Sequence, residues 1–198
     1  MTGGAARFAA RYPVVWHVIE ADGAGAWLAD TGLLPAASLL RLAGLAADGA
    51  NRNDFRTVAI GDGRIAVLRP QVMSDARLVP TLAGSFAGRP EAWRAHINAH
   101  VFFWADPRRC DAFRRACARF RARSRTVTPG APPVALRLDT AALLRRHGEA
   151  AFFARINTGS TVRGGARVVR DESTLLPVAQ YRSGAVAELA ISGPVALA

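Results

Sequence analysis

The sequence predicts an α+β fold, a single domain spanning residues 1–198, and three observations lead there. Apolar residues make up 51% of the 198 positions and charged residues 21%, a balance that supports a real core and excludes a disordered or collagenous chain. Strand-like and helix-like segments follow one another without the regular cadence of βαβ units. No Gly-rich phosphate loop joins a strand to a helix, which argues against a doubly wound nucleotide fold.

The elements can be read in order. VVWHVI (Val14 to Ile19) is a β-branched, apolar run expected to form a buried strand, followed by a short helix from Ala24 to Thr31 that Gly32 stops. Ser38 is placed to cap a helix from Leu39 to Ala47. After the polar loop Asp48 to Asp54, Arg56–Ile60 and Arg64–Arg69 flank GDG and read as a hairpin, with Pro70 ending its second strand. Pro90 to Ile97 predicts a helix, HVFFW (His100 to Trp104) a strand, and Asp106-Pro107 the start of a helix reaching about Arg123. TPGAPP is a turn, Val134 to Leu138 a strand, and Asp139 caps a helix closed by Gly148. Asn157 to Tyr181 reads as loop, and AVAELAI (Ala185 to Ile191) is the last strand.

Charge is the unusual feature. The 26 basic residues are all Arg and exceed the 15 acidic ones by 11, for a pI near 11.5. A field of that sign attracts phosphate-bearing partners. Enrichment in Ala and Arg also fits genomic base composition, which accounts for the missing Lys but not for the shortage of acid. Arg108, Arg114, Arg115, Arg119 and Arg121 fall on one side of the Asp106 helix, opposite a stripe of Phe113, Ala116, Cys117 and Phe120 expected in the core. A second set, Arg163, Arg167, Arg170 and Arg182, precedes the last strand.

No apolar run approaches a membrane span, and the first ten residues lack a basic segment followed by a long apolar one. The expectation is a cytoplasmic protein with no membrane partner. Cys110 and Cys117 lie seven residues apart in one helix, so about 10 Å of rise keeps them from pairing. The four histidines are scattered, and no metal site is expected.

Two polar residues stand inside apolar strands. Period-two alternation puts His17 on a face with Val15 and Ile19, and Glu188 on a face with Val186 and Ala190. A carboxylate on a core face is costly unless it is hydrogen-bonded, paired or opens into a pocket. Two readings stay open: a solvated sheet edge, or a site.

WHVIEADGAGAWLADTGLLP, NAHVFFW, INTGST and the closing VAELAI, in that order, resemble the DarT-type ADP-ribosyltransferases and, more closely, a bacterial group allied to them. The resemblance covers roughly Tyr12 to Val195. It implies an ADP-ribosyltransferase-like split antiparallel β-sandwich with flanking helices, and NAD as co-substrate in the cleft between the sheets. By that resemblance Glu188 is catalytic, while His17 and the adjoining Val18 and one of Arg52, Arg56 or Arg69 contact NAD. Of the aromatic strand residues Phe102, Phe103 and Trp104, two are expected in ordinary core and Phe103 as a wall for the nicotinamide. Arg163, Arg167 and Arg170 would present the acceptor, a nucleic acid with DNA preferred. A toxin or defence role with an antitoxin or immunity protein as partner is implied as well. This chain departs from the DarT pattern at Ile19, where a hydroxyl is usual, and from the allied group at Pro70, where an acid follows the Arg. The competing reading is a basic nucleic-acid-binding or interaction module on the same scaffold, its NAD site decayed.

Overall fold

The computed structural model describes all residues except 22–24, 48–51, 128–129, 162–167 and 198. Six strands form one antiparallel sheet. They are β1 (Val14–Ile19), β4 (His100–Trp104), β5 (Val134–Asp139), β6 (Ala151–Ala154), β7 (Leu176–Pro177) and β8 (Glu188–Ser192), in the order β5-β1-β4-β8-β6-β7. β2 (Arg56–Ala59) and β3 (Ile65–Leu68) make the separate hairpin expected around GDG. The helices are α1 (Gly3–Arg11), α2 (Gly25–Thr31), α3 (Ala36–Leu42), α4 (Asp75–Leu78), α5 (Pro90–Asn98), α6 (Pro107–Arg121) and α7 (Thr140–His147). The class is therefore mixed α+β, an antiparallel sheet with flanking helices.

The sheet is not uniformly laced. β1 pairs with β5 along its length, Val14↔Asp139 through Ile19↔Val134, and β4 pairs with β8 from His100↔Ser192 to Trp104↔Glu188. Between β1 and β4 the register holds only Trp16↔Trp104. Beyond that pair the sheet parts. In the gap the His17 Nδ1 lies 2.7 Å from the Phe102 carbonyl, so a side chain substitutes for the missing ladder bond.

One face carries the main core. Val101, Phe103, Phe153, Leu189 and Ile191 point into it, covered by Phe8 of α1 and by Leu143 and Leu144 of α7. Phe8, Tyr12, Phe153 and Tyr181 form an aromatic cluster with centroid separations from 5.1 Å (Phe8–Tyr12) to 6.4 Å (Phe8–Phe153). The Tyr12 hydroxyl accepts from Val186 N at 2.9 Å, which fixes the chain entering β8. Elsewhere Leu39 and Leu40 of α3 pack on Val58, Ala66 and Leu68 of the hairpin, and Trp93 and Ile97 of α5 pack on Met73 and Leu78.

Several local expectations change. α3 begins at Ala36 because the Pro35 carbonyl already accepts from Ser38 N and Leu39 N, at 2.9 and 3.1 Å. Ser38 is thus inside the helix and caps nothing; its hydroxyl instead accepts from Arg41. The sequence carries no clear signal for α1, since GGAARFAAR opens on two glycines, yet the Thr2 hydroxyl caps it at Ala5 N. β6 is equally silent in the sequence, since a four-residue run after a helix carries no periodicity of its own. Val186 lies in the main core and does not share the Glu188 face. The Asp106 and Asp139 caps and Gly148 behave as expected, accepting from Arg108 N and Ala142 N and closing α7. Both cysteines are free.

α1 docks through a glycine. A Cβ on Gly4 would stand 2.0 Å from the Ala179 carbonyl oxygen, backbone that cannot swing aside. Gly4→Ala is expected to destabilise the protein by about 1–3 kcal/mol despite the better helix propensity of Ala. Gly148→Ala, where the space is open and φ is −59°, should be neutral or slightly stabilising. Urea midpoints of the two variants check the contrast; equal midpoints would mean that α1 does not sit against residues 178–180.

Candidate functional site

The parting of β1 from β4 opens a cleft of about 460 Å³, within the usual range for small-molecule sites. Its floor is the split itself, with His17, Val18, Phe102, Phe103 and Trp104. α6 forms one wall through Phe113, Ala116, Cys117 and Phe120, so that stripe lines the cleft, where the sequence had suggested core. α3 and the β3 end of the hairpin form the other, and the segment Asn157–Ser160 meets Glu188 at one end.

Glu188 begins β8 opposite Trp104 and is 4% exposed. Its Oε2 accepts two bonds from Thr158, from the backbone N at 3.0 Å and from Oγ1 at 2.9 Å. Among the described residues no donor reaches Oε1. Burial pushes the carboxyl up to about 7, although the Thr158 bonds and the charges of Arg109 and Arg170 pull the other way. The group is poised to exchange a proton near neutrality.

His17 is held the opposite way. Burial, reinforced by the nearby Arg69 charge, lowers its pKa to about 4. The ring is therefore neutral at physiological pH, and because the Phe102 carbonyl can only accept, Nδ1 carries the proton. Nε2 keeps a lone pair for an incoming donor. The ring rests against Phe103 at 5.5 Å between centroids.

Arg69 follows β3, crosses to donate from NH1 to the Val18 carbonyl, and lies 5.3 Å from the Phe113 ring centroid. Arg52 donates from Nε to the Arg69 carbonyl at 3.4 Å and from NH2 to Asn98 Oδ1 at 3.2 Å. Asn98 in turn donates to Gln71 Oε1 at 3.2 Å. Burial and the Arg56 charge lower the Arg52 pKa to about 10, which leaves it cationic. Cys117 also borders the cleft, but burial raises its thiol to about 11, so it is no nucleophile at neutral pH.

Of the residues singled out by the sequence, His17, Val18, Arg52, Arg69, Phe103 and Glu188 line this one cleft, whereas Arg56 is exposed outside it. Arg163 and Arg167 lie outside the described residues. Arg170 is 3% exposed, so it is not a surface contact for an acceptor. Its NH2 donates to the Ser160 carbonyl at 2.6 Å and its NH1 to the Val168 carbonyl at 3.2 Å, which braces the segment carrying Thr158. Arg121, expected on the solvated side of α6, is buried in an ion pair with Glu20 at 3.0 Å. Sequence reasoning missed Thr158, Asn98, Gln71 and Glu20. INTGST was visible as a segment, but nothing in it says that Thr158 meets Glu188, thirty residues on. Among the described residues no cluster suits a metal ion, and no helix is long and apolar enough to cross a membrane.

The two perturbed groups make a pH prediction. Glu188, near 7 when folded and ordinarily 4.5, holds an extra proton in the folded state between those values. Its contribution to stability is complete below pH 4.5 and is lost as pH rises through about 7, roughly 3 kcal/mol in all. His17, near 4 when folded and ordinarily 6.5, binds fewer protons folded, so its contribution rises with pH over that window. The two slopes mask each other in the wild type. Glu188→Gln removes one, and the variant should gain stability relative to the wild type between about pH 5 and about pH 8 in urea titrations. A difference that stays constant with pH would show Glu188 ionised throughout.

No curated protein and no solved structure matches the chain. The model of a family of unknown function, DUF7002, matches residues 13–196, a stretch that takes in every residue of the cleft. The chain belongs to the DUF7002 family.

Proposed function

We propose that the chain is an NAD-dependent ADP-ribosyltransferase, with Glu188 as the catalytic carboxylate and a nucleic acid as acceptor. The observation that carries the reading is Glu188: a buried carboxyl, pinned by Thr158 through one oxygen and without a donor at the other among the described residues, lining a cleft that also holds a neutral His17 and two cationic arginines. The resemblance to DarT-type enzymes supports it, and so does the opening of the sheet at β1/β4, which leaves a cleft beside Glu188.

The residues fit the group. NAD supplies a ribose carbon bonded to a cationic pyridinium nitrogen, and cleavage of that bond leaves positive charge on the ribose. Glu188, which lines the cleft, would stabilise the developing charge through the oxygen that Thr158 leaves unused, and a cationic ligand beside the carboxyl would favour its ionised form. The same oxygen then accepts the proton displaced from the attacking acceptor. His17 Nε2 accepts from a ribose hydroxyl, and Arg69, held against Val18 and Phe113, pairs with the diphosphate. Phe103, in the floor, backs the His17 ring and Trp104 offers an aromatic wall.

The acceptor follows from charge. Net +11 is concentrated in arginines, and Arg108, Arg109, Arg115 and Arg119 are exposed on α6, the helix that walls the cleft. Arg109 is close enough to bias Glu188. A phosphate-bearing polymer lying along α6 would bring a base to the mouth.

NAD at saturating concentration should raise the melting temperature, and incubation with labelled NAD and DNA should release nicotinamide and label the DNA. Glu188→Gln should lower turnover at least ~100-fold, about 3 kcal/mol of transition-state stabilisation, with NAD binding largely kept. DNA binding should weaken steeply with salt. Absence of both nicotinamide release and transfer across DNA, RNA and protein acceptors overturns the enzyme reading; DNA binding without any NAD shift favours the decayed module.

A further inference from the structure

Glu20 is the residue of the cleft that neither the catalytic carboxylate nor the arginine pair accounts for. It stands just past β1, is 6% exposed, and lines the same cleft as Glu188. Its Oε2 accepts from Arg121 Nη1 at 3.0 Å, while Oε1 is buried and meets no hydrogen-bond donor among the described residues. An ion pair to α6 requires only one of the two oxygens. Leaving the other unmet is costly, and that cost is recovered when a ligand hydroxyl donates to it.

Position says which hydroxyl. Trp16 joins Trp104, and Trp104 joins Glu188, so Glu188 sits two strands across from Trp16, roughly 10 Å at normal strand spacing. Glu20 lies four residues beyond Trp16, roughly 13 Å along the strand direction. Arg69 grips the Val18 carbonyl, halfway between. The cleft thus presents, in order, a carboxylate with a neutral imidazole, a guanidinium, and a second carboxylate. A dinucleotide presents ribose, diphosphate and ribose in the same order.

Resting on the NAD reading above, we infer that Glu20 receives the hydroxyls of the adenosine ribose, and that the cleft therefore accepts a dinucleotide with a free 2′-hydroxyl and rejects a 2′-phosphorylated one. A carboxylate accepts from a ribose hydroxyl in good geometry. A 2′-phosphate at that point has no proton to offer and brings like charge against Glu20 in a poorly solvated site. The nearby cations do not rescue it: Arg121 is paired with Glu20 itself, and Arg52 is engaged with the Arg69 carbonyl and Asn98.

The test is a calorimetric titration of the wild-type protein with NAD, NADP and the NAD analogue carrying 2′-deoxyadenosine. NAD should bind at least about tenfold more tightly than either of the others. Glu20→Gln should weaken NAD binding about tenfold and shrink the NAD/NADP ratio to about twofold. If the variant fails to fold, since it leaves Arg121 buried without its counter-charge, the two analogues on the wild type decide the matter alone. Equal binding of NAD and NADP, or of NAD and the deoxy analogue, overturns the role of Glu20 while the transferase reading stands. Binding of none of the three overturns both.

Discussion

The rest of the structure depends on a constraint at one place, the junction of β1 and β4. Two antiparallel strands normally zip along their whole overlap, because every buried N–H and C=O needs a partner. Here they meet at Trp16↔Trp104 and then separate. The backbone groups freed by the separation are met from elsewhere: His17 reaches the Phe102 carbonyl, and Arg69 reaches the Val18 carbonyl. The two polar side chains that hold the split open are therefore the ones that face its contents. Scaffold and site are the same set of hydrogen bonds.

That economy sets the electrostatics of the cleft. Burial, with the Arg69 charge nearby, keeps His17 neutral against the opposing pull of its Nδ1 bond to Phe102; Glu188, equally dry, is kept near the point of half-protonation. A pair of titratable groups pushed in opposite directions by shared burial is a pattern of functional sites. Structural residues of a stable core have no need of it. Leu189, beside Glu188 on the same strand, shows the alternative, with no exposure and no polar atom to satisfy.

The described residues on either side of 162–167, namely 157–161 and 168–170, show how irregular chain is tied down to position a carboxylate. Thr158 is 1% exposed and Arg170 3% exposed, and each is tied down by short polar bonds. Arg170 holds the Ser160 carbonyl, and its own backbone is clamped by Thr81 and Ala83 at 2.7 and 2.9 Å. Thr158 then spends both its donors on a single oxygen of Glu188, which fixes the direction of the other.

Sequence by itself determined what is local. The strands VVWHVI and HVFFW, the GDG hairpin, the Asp106 and Asp139 caps and the oddity of His17 and Glu188 inside apolar strands all follow from periodicity, capping chemistry and the cost of burying charge. So did the net charge and the inability of Cys110 and Cys117 to pair. Only the tertiary structure decided which distant groups meet, because hydrogen-bond partners such as Thr158 for Glu188, Arg69 for Val18 and Arg121 for Glu20 are separated by 30, 51 and 101 residues. No spacing rule spans such distances. For the same reason Arg170 and Arg121 looked like surface charge: an arginine's composition and neighbours are the same whether it faces water or a buried carbonyl, and burial is settled by what folds over it.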